Sequence, residues 1–309
     1  MIATITLNPA LDRSVYVGNL QPNDANRVVK TETDAGGKGI NASRVLKELG
    51  SGTIALGFLG GQTGRYIEHV LRNEGVETDF VRLDSETRTN ICIQESSGNP
   101  PTVLDEPGPT LTRYELDELF AKVRRVASKS AMVAFGGSLP PGSPDDVYKT
   151  LVEIVASEGA KAILDSDGEP MRLGLQASPF MIKPNRDEVR RLVGVDIKST
   201  DDAVRSAKLL AENGVKLVVI SLGSQGAVAL YEGDAIHAVP PEVKTVSTIG
   251  SGDSMVAGIA HIISGGGTLE DALRWGTAAG AATAMTDGTG ICKRHQIARL
   301  LAKVEINRL

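Results

Sequence analysis

The stretch Val246-Ser-Thr-Ile-Gly-Ser-Gly-Asp253-Ser-Met-Val-Ala-Gly258 sets a turn of small residues directly ahead of a carboxylate. Gly250, Ser251 and Gly252 carry little or no side chain, so their backbone N–H groups can turn toward one point. The apolar residues behind them (Met255, Val256, Ile259, Ile262, Ile263) have helical spacing, so these N–H groups would open a helix whose dipole favours negative charge. Such a nest suits a phosphate, or the charge that builds on a phosphoryl group in transit. Asp253 falls in the first turn beside that anion hole, where a carboxylate could take a proton from an attacking hydroxyl. The plain alternative is a helix cap followed by a helix-favouring Asp, with no chemistry.

A second glycine cluster, Ala35-Gly-Gly-Lys-Gly-Ile-Asn41, runs into a helical pattern (Ala42, Val45, Leu46, Leu49) closed by Gly50. Its glycines allow a ligand to approach the backbone closely, Lys38 adds a positive charge, and Asn41 adds an amide. Asp12 follows the β-rich segment Ile2–Leu7, which breaks at Pro9, and so would lie where open α/β sheets place their ligands. Taken singly, Asp12 reads equally as a turn residue, Arg88 as a solvated charge, and the glycine cluster as a strand-to-helix turn. The four histidines are scattered without metal-ligand spacing.

The elements that must position these groups alternate between strand and helix. Strands are expected at Ile2–Leu7, Thr53–Phe58, Phe80–Leu83, Ala131–Phe135, Lys161–Leu164, Phe180–Lys183, Leu217–Ser221 and Ala227–Leu230. Helices are expected after Gly64, over Thr112–Ala127, Asp145–Ser157, after Pro184, over Asp201–Asn213, and over Leu269–Met285 and His295–Val304. This alternation predicts a mostly parallel sheet with helices on both faces, in one domain over residues 1–309. Strand pairs near 13–33 and 88–106, the second around a turn at Ser96–Pro100, interrupt the alternation and read as a small antiparallel lid.

Composition excludes several functions. Aromatics are 4% and the net charge is −5 with no Lys/Arg run, which argues against a nucleic-acid partner. No apolar run reaches membrane-spanning length, and Met1–Leu7 has neither the basic start nor the apolar region of a signal peptide, so a cytoplasmic protein without a membrane partner is expected. Cys92 and Cys292 form no close pair and fit a reducing compartment. A Gly-x-Gly-x-x-Gly after the first strand and a Gly-Lys-Ser/Thr loop are both missing, so neither a dinucleotide enzyme nor a P-loop kinase fits.

Together, Ala35–Asn41 and Ser247–Asp253 resemble the two signature motifs of the ribokinase-like sugar kinases of the phosphofructokinase B family. Lys183-Pro-Asn-Arg-Asp-Glu188 resembles the family's Asn-x-x-Glu motif, and Ser221-Leu-Gly-Ser-Gln-Gly226 its nucleotide-site turn. Thr6-Leu-Asn-Pro-Ala-Leu-Asp12 is similar to the opening of the phosphosugar branch, which includes 1-phosphofructokinases, tagatose-6-phosphate kinases and minor 6-phosphofructokinases. The resemblance spans essentially the whole chain and implies a three-layer α/β/α core, a β-lid, ATP, magnesium, and γ-phosphoryl transfer to a hydroxyl of a phosphorylated ketohexose. Glu86–Cys92 and Leu104–Pro109 are similar to the members that use a 6-phosphoketohexose, with fructose 1-phosphate as the alternative.

The resemblance further implies roles. Asp253 would be the base and Gly250, Ser251 and Gly252, with Asp253, the anion hole. Asn185 and Glu188 would organise magnesium, mainly through water. Lys183, Asn185, Ser221, Gly223, Gly226 and Ile249 would line the nucleotide. Asp12, Gly36, Gly37, Asn41 and Ser138 would hold the sugar, and Lys38, Arg88 and Arg27 the phosphate it already carries. Exposed apolar lid residues are expected to be covered by a partner, and the resemblance implies a homodimer through the lid with Arg27 reaching the neighbouring site. A reading of another class is a nucleotide- or sugar-binding regulator on the same fold, which could dispense with Asp253.

Overall fold

The computed structural model describes residues 1–96 and 101–309, so the turn expected at Ser96–Pro100 lies, but for Ser96, outside the described residues. Along the main sheet the strands run Glu77–Thr78, Thr53–Gly60, Ile2–Thr6, Met132–Gly136, Lys161–Asp165, Met181–Ile182, Leu217–Ser221, Ala227–Tyr231, Asp234–Val239 and Glu305–Arg308. The first seven are mutually parallel and the last three antiparallel, while Val81–Leu83 pairs with the end of Thr53–Gly60.

Every residue of Ile2–Thr6 and of Met132–Gly136 is buried, because helices cover both faces of the sheet. Val133 and Phe135 point into a core shared with the helices Arg113–Ala127 and Val147–Ser157. Met132 and Ala134, one residue out of phase, point into a second core with the helices Lys38–Leu49, Ser251–Ser264 and Leu269–Thr283. This is the expected three-layer arrangement. The strand Ile2–Thr6 has Thr53–Gly60 on one side and Met132–Gly136 on the other, so the strand order reverses beside it and leaves a crevice at the carboxyl ends.

The lid is a single four-stranded sheet in the order Val28–Gly36, Ala10–Val17, Arg88–Glu95, Thr102–Leu104. Its outer pairs are antiparallel, as expected, and the central pair that joins them is parallel. The first strand starts at Ala10 rather than near residue 13, because Pro9 ends one ladder and the chain enters the lid at the next residue. Asp12 therefore sits on the lid itself. Three strands, Glu77–Thr78, Asp234–Val239 and Glu305–Arg308, and the helix Gly168–Leu175 were not expected. The helix contains Gly168 and Pro170, which read as breakers, but proline is tolerated in a first turn, and Asp167 caps it. None of the described helices is long and apolar enough to cross a membrane.

Candidate active site

Gly250 adopts a left-handed conformation (φ 75°) and starts the helix Ser251–Ser264. No side chain caps this helix, and the Ser251 N–H turns back to the Thr248 carbonyl at 3.3 Å. The first-turn N–H groups of Gly252 and Asp253 are left to form the nest. A Cβ on Gly252 would lie 3.0 Å from the Lys183 ammonium, so glycine lets this lysine close against the helix start.

Asp253 is buried, and Asn41 Nδ2 donates to its Oδ2 at 2.8 Å. Burial pushes its carboxyl up to about 6 and the nearby Asp165 adds to this, against the pull of Lys38, Asn41 and Lys183. Its pKa thus lies close to neutrality, which suits a general base. Asp165, at the carboxyl end of Lys161–Asp165, receives Lys38 at 3.0 Å and Lys183 at 3.4 Å on its two oxygens. Burial favours its neutral form, but Lys183 and Lys38 prevail and keep it ionised. Burial likewise works against the charge of Lys38, and Asp165, Asp253 and Glu188 outweigh it, so Lys38 titrates above its ordinary range.

Asp165 is the residue that the sequence reading missed. Its strand was expected to stop at Leu164, and Asp165-Ser-Asp-Gly168 looks like a turn. The signal that could have found it is the one used for Asp12, a carboxylate at the end of a buried parallel strand.

A cleft of about 790 Å³ opens in front of these groups. Of the expected nucleotide residues, Lys183, Asn185, Ser221, Gly223 and Gly226 line it, together with Gly252 and Asp253. Gly226 (φ 86°) is required, since a Cβ there would come within 1.8 Å of the Ala238 carbonyl. Ile249 is half-exposed and lies next to the nest without lining the cleft. Pro240, Val243, Met255 and Ala281 supply an apolar wall that no motif announced.

Asn185 and Glu188 form a capping box: the Asn185 N–H donates to Glu188 Oε2 at 2.7 Å, and the Glu188 N–H to Asn185 Oδ1 at 2.9 Å. Burial raises the Glu188 pKa and Asp165 adds to it, opposed by the Asn185 N–H, Lys38 and Lys183. Glu188 lines the cleft, and its Oε1 has no protein donor among the described residues. Among the described residues no three His, Cys, Asp or Glu side chains group to hold a metal by themselves. One or two carboxylates with water and nucleotide phosphates are what magnesium ordinarily takes, so Glu188, Asn185 and Asp165 fit it in that form.

On the lid side, Asn90 Nδ2 donates to Asp12 Oδ1 at 2.9 Å. Burial pushes Asp12 up to about 6, with Asp105 and Asp34 adding and Asn90 and Arg88 opposing. A Cβ on Gly36 would fall 1.9 Å from Asp12 Oδ2, so any other residue there would push the Asp12 carboxylate aside. Gly37 (φ 126°) then turns the chain into the helix Lys38–Leu49, which carries Asn41 to Asp253. One short turn thus joins the lid carboxylate to the cleft carboxylates.

Arg88 commits its guanidinium to the Asn8 carbonyl (3.0 Å), the Glu106 carbonyl (2.9 Å) and the Ser138 hydroxyl (3.3 Å). Lys38 is engaged with Asp165. Arg27 is exposed in the loop ahead of Val28–Gly36, and Val28 is already about 20 Å along the strand from Asp34, the partner of Asp12. The subunit's own fold therefore does not bring Arg27 to Asp12.

Comparison with known proteins agrees with this geometry. The model of the pfkB family carbohydrate kinases matches residues 5–296. The 1-phosphofructokinase of Borreliella burgdorferi is 36% identical over 307 residues, covering 99% of this chain and 98% of that protein. The tagatose-6-phosphate kinase of Staphylococcus epidermidis is 34% identical over 312 residues, covering 99% of each. The crystal structure of phosphofructokinase-2 from Escherichia coli in complex with substrates and products superposes with a TM-score of 0.92 at 31% identity, covering 98% of each chain. With its motifs, its lid and its ribokinase-like fold in agreement, the chain belongs to the pfkB family of carbohydrate kinases.

Proposed function

We propose that this kinase transfers the γ-phosphoryl group of ATP to a hydroxyl of a phosphorylated ketohexose, tagatose 6-phosphate or fructose 6-phosphate, to give a bisphosphate and ADP. The observation that carries this reading is Asp253, buried at an open helix N-terminus and held by Asn41 beside Asp165 and its two lysines. The sugar would rest on Asp12, Gly36, Gly37 and Asn41, with its own phosphate toward Ser138 and Arg88, which bond to each other, and one hydroxyl at Asp253. That oxygen attacks the γ-phosphorus, its proton passes to Asp253, and the bond to the bridging oxygen breaks with its electron pair leaving on ADP. Gly252 and Asp253 N–H groups, with Gly250 and Ser251 shaping the turn, stabilise the charge on the phosphoryl group in flight. Lys183, Ser221, Gly223, Gly226 and Ile249 would flank the nucleotide. Magnesium, held by Asn185 and Glu188 mainly through water, would neutralise phosphate charge.

Fructose 1-phosphate is the second reading, favoured by relatives that carry the name 1-phosphofructokinase. An assay that couples ADP release to a reporter, run with all three phosphosugars, tests both. Turnover is expected, fastest with a 6-phosphoketohexose. Preference for fructose 1-phosphate would select the second reading, and no ADP from any of the three would leave only a non-catalytic regulator.

The lid supports a homodimer. By alternation Val15, Ile91, Ile93 and Leu104 share its outer face, and Leu104 is 53% exposed. A partner's lid would cover this face and could bring Arg27 to the neighbouring sugar phosphate. Both cysteines are buried and free, which suits the cytoplasm.

A further inference from the structure

Asn8 has no task in the mechanism above, yet its environment is specific. Its side chain is 4% exposed, and Nδ2 donates to the Pro107 carbonyl at 3.0 Å and to Ser138 Oγ at 3.3 Å. The Pro107 carbonyl can only accept, so this end of the amide must be the NH2 group. The other end, Oδ1, is buried without a partner and lies against Gly108 (φ 90°), where a Cβ would come within 2.2 Å of it. A buried acceptor without a donor is costly, and an apolar side chain would avoid that cost. The NH2 group is what only an amide supplies here.

Ser138 is where that group acts. Arg88 Nη2 also donates to Ser138 Oγ, at 3.3 Å. A hydroxyl has two lone pairs and one proton, and both lone pairs of Ser138 are now taken. The exposed Ser138 is left with its O–H alone to offer a ligand. Ionised phosphate oxygens only accept hydrogen bonds, so a hydroxyl fixed as a donor matches them.

We propose that Asn8 is a positioning residue that fixes Ser138 as a hydrogen-bond donor to the phosphate of the phosphosugar. This rests on the reading of the site as a phosphosugar kinase. The test measures KM for fructose 6-phosphate, or for whichever phosphosugar turns over best, and KM for ATP. Ser138→Ala, at an exposed position, is expected to raise the sugar KM about tenfold, the loss of one hydrogen bond to a charged group, with the ATP KM within twofold. Asn8→Ala is expected to do the same, and the double variant to be no worse than either single one. Should Asn8→Ala fold poorly by circular dichroism, Asn8→Leu, which keeps the volume without the NH2 donor, takes its place in the cycle. An unchanged sugar KM in Ser138→Ala, or losses that multiply in the double variant, would overturn the role of Asn8. Absence of turnover by the wild type with every phosphosugar would instead overturn the underlying reading.

Discussion

Asp253 carries two consequences that separate its chemistry from its structural role. Asp253→Asn keeps a side chain that can accept from Asn41 but cannot take a proton, so kcat is expected to fall about 10²–10⁴-fold while ATP and sugar still bind. Its pKa of about 6 in the free protein makes wild-type kcat/KM rise with pH through that value. The stability effect has the opposite sense. A carboxyl raised from 3.8 to about 6 by folding contributes stability below pH 3.8 that is lost as pH rises through 6, a loss on the order of 3 kcal/mol. Asp253→Asn should therefore melt at or above the wild-type temperature at pH 8, and a lower melting temperature would contradict the account. Lys38 lowers the Asp253 pKa. In Lys38→Ala the acidic limb of the kcat/KM profile should move to higher pH; a limb that stays in place would show that Lys38 and Asp253 are not coupled.

At the scale of elements, the two glycine turns do most of the positioning, and both were legible. Small residues between an extended segment and a helical pattern have few other readings. The partners they bring together were not legible, because Asp12 and Asp34 face each other across the lid and Asn41 meets Asp253 from 212 residues away. Asp165 was hidden by turn-like neighbours. The edge strand Glu305–Arg308 was hidden because Glu-Ile-Asn-Arg has too little apolar alternation to stand out from the end of a helix. The Asn185–Glu188 spacing reads as a metal motif or as a helix-capping pair, and the structure forms the reciprocal cap at these residues. Glu188→Gln keeps the cap's acceptor oxygen but not the charge. It is expected to raise the magnesium concentration needed for half-maximal turnover with an unchanged melting temperature; an unshifted magnesium titration would reduce the pair to its capping role. Gly36→Ala tests the turn itself. With a Cβ 1.9 Å from Asp12 Oδ2, Asp12 must move, and the sugar KM should rise by roughly 10–100-fold with little effect on the ATP KM.

The whole molecule adds what no single turn provides, a four-stranded lid that carries Asp12 and has apolar residues on its outer face. If two lids pair and Arg27 serves the neighbouring site, mixing inactive Arg27→Ala and Asp253→Asn proteins after dissociation should partly restore activity. One site of each mixed dimer then carries both lesions and the other neither. Mixed dimers that stay inactive would confine Arg27 to its own surface. Beneath the lid, Asp253 is proposed to direct the γ-phosphoryl group to a sugar hydroxyl and not to water. ³¹P NMR of ATP and fructose 6-phosphate or tagatose 6-phosphate with the wild-type enzyme tests it most directly. A second phosphomonoester on the sugar is expected, growing in step with ADP and missing with Asp253→Asn. ADP accumulating with inorganic phosphate and no second sugar phosphate, or equal product from Asp253→Asn, would contradict it.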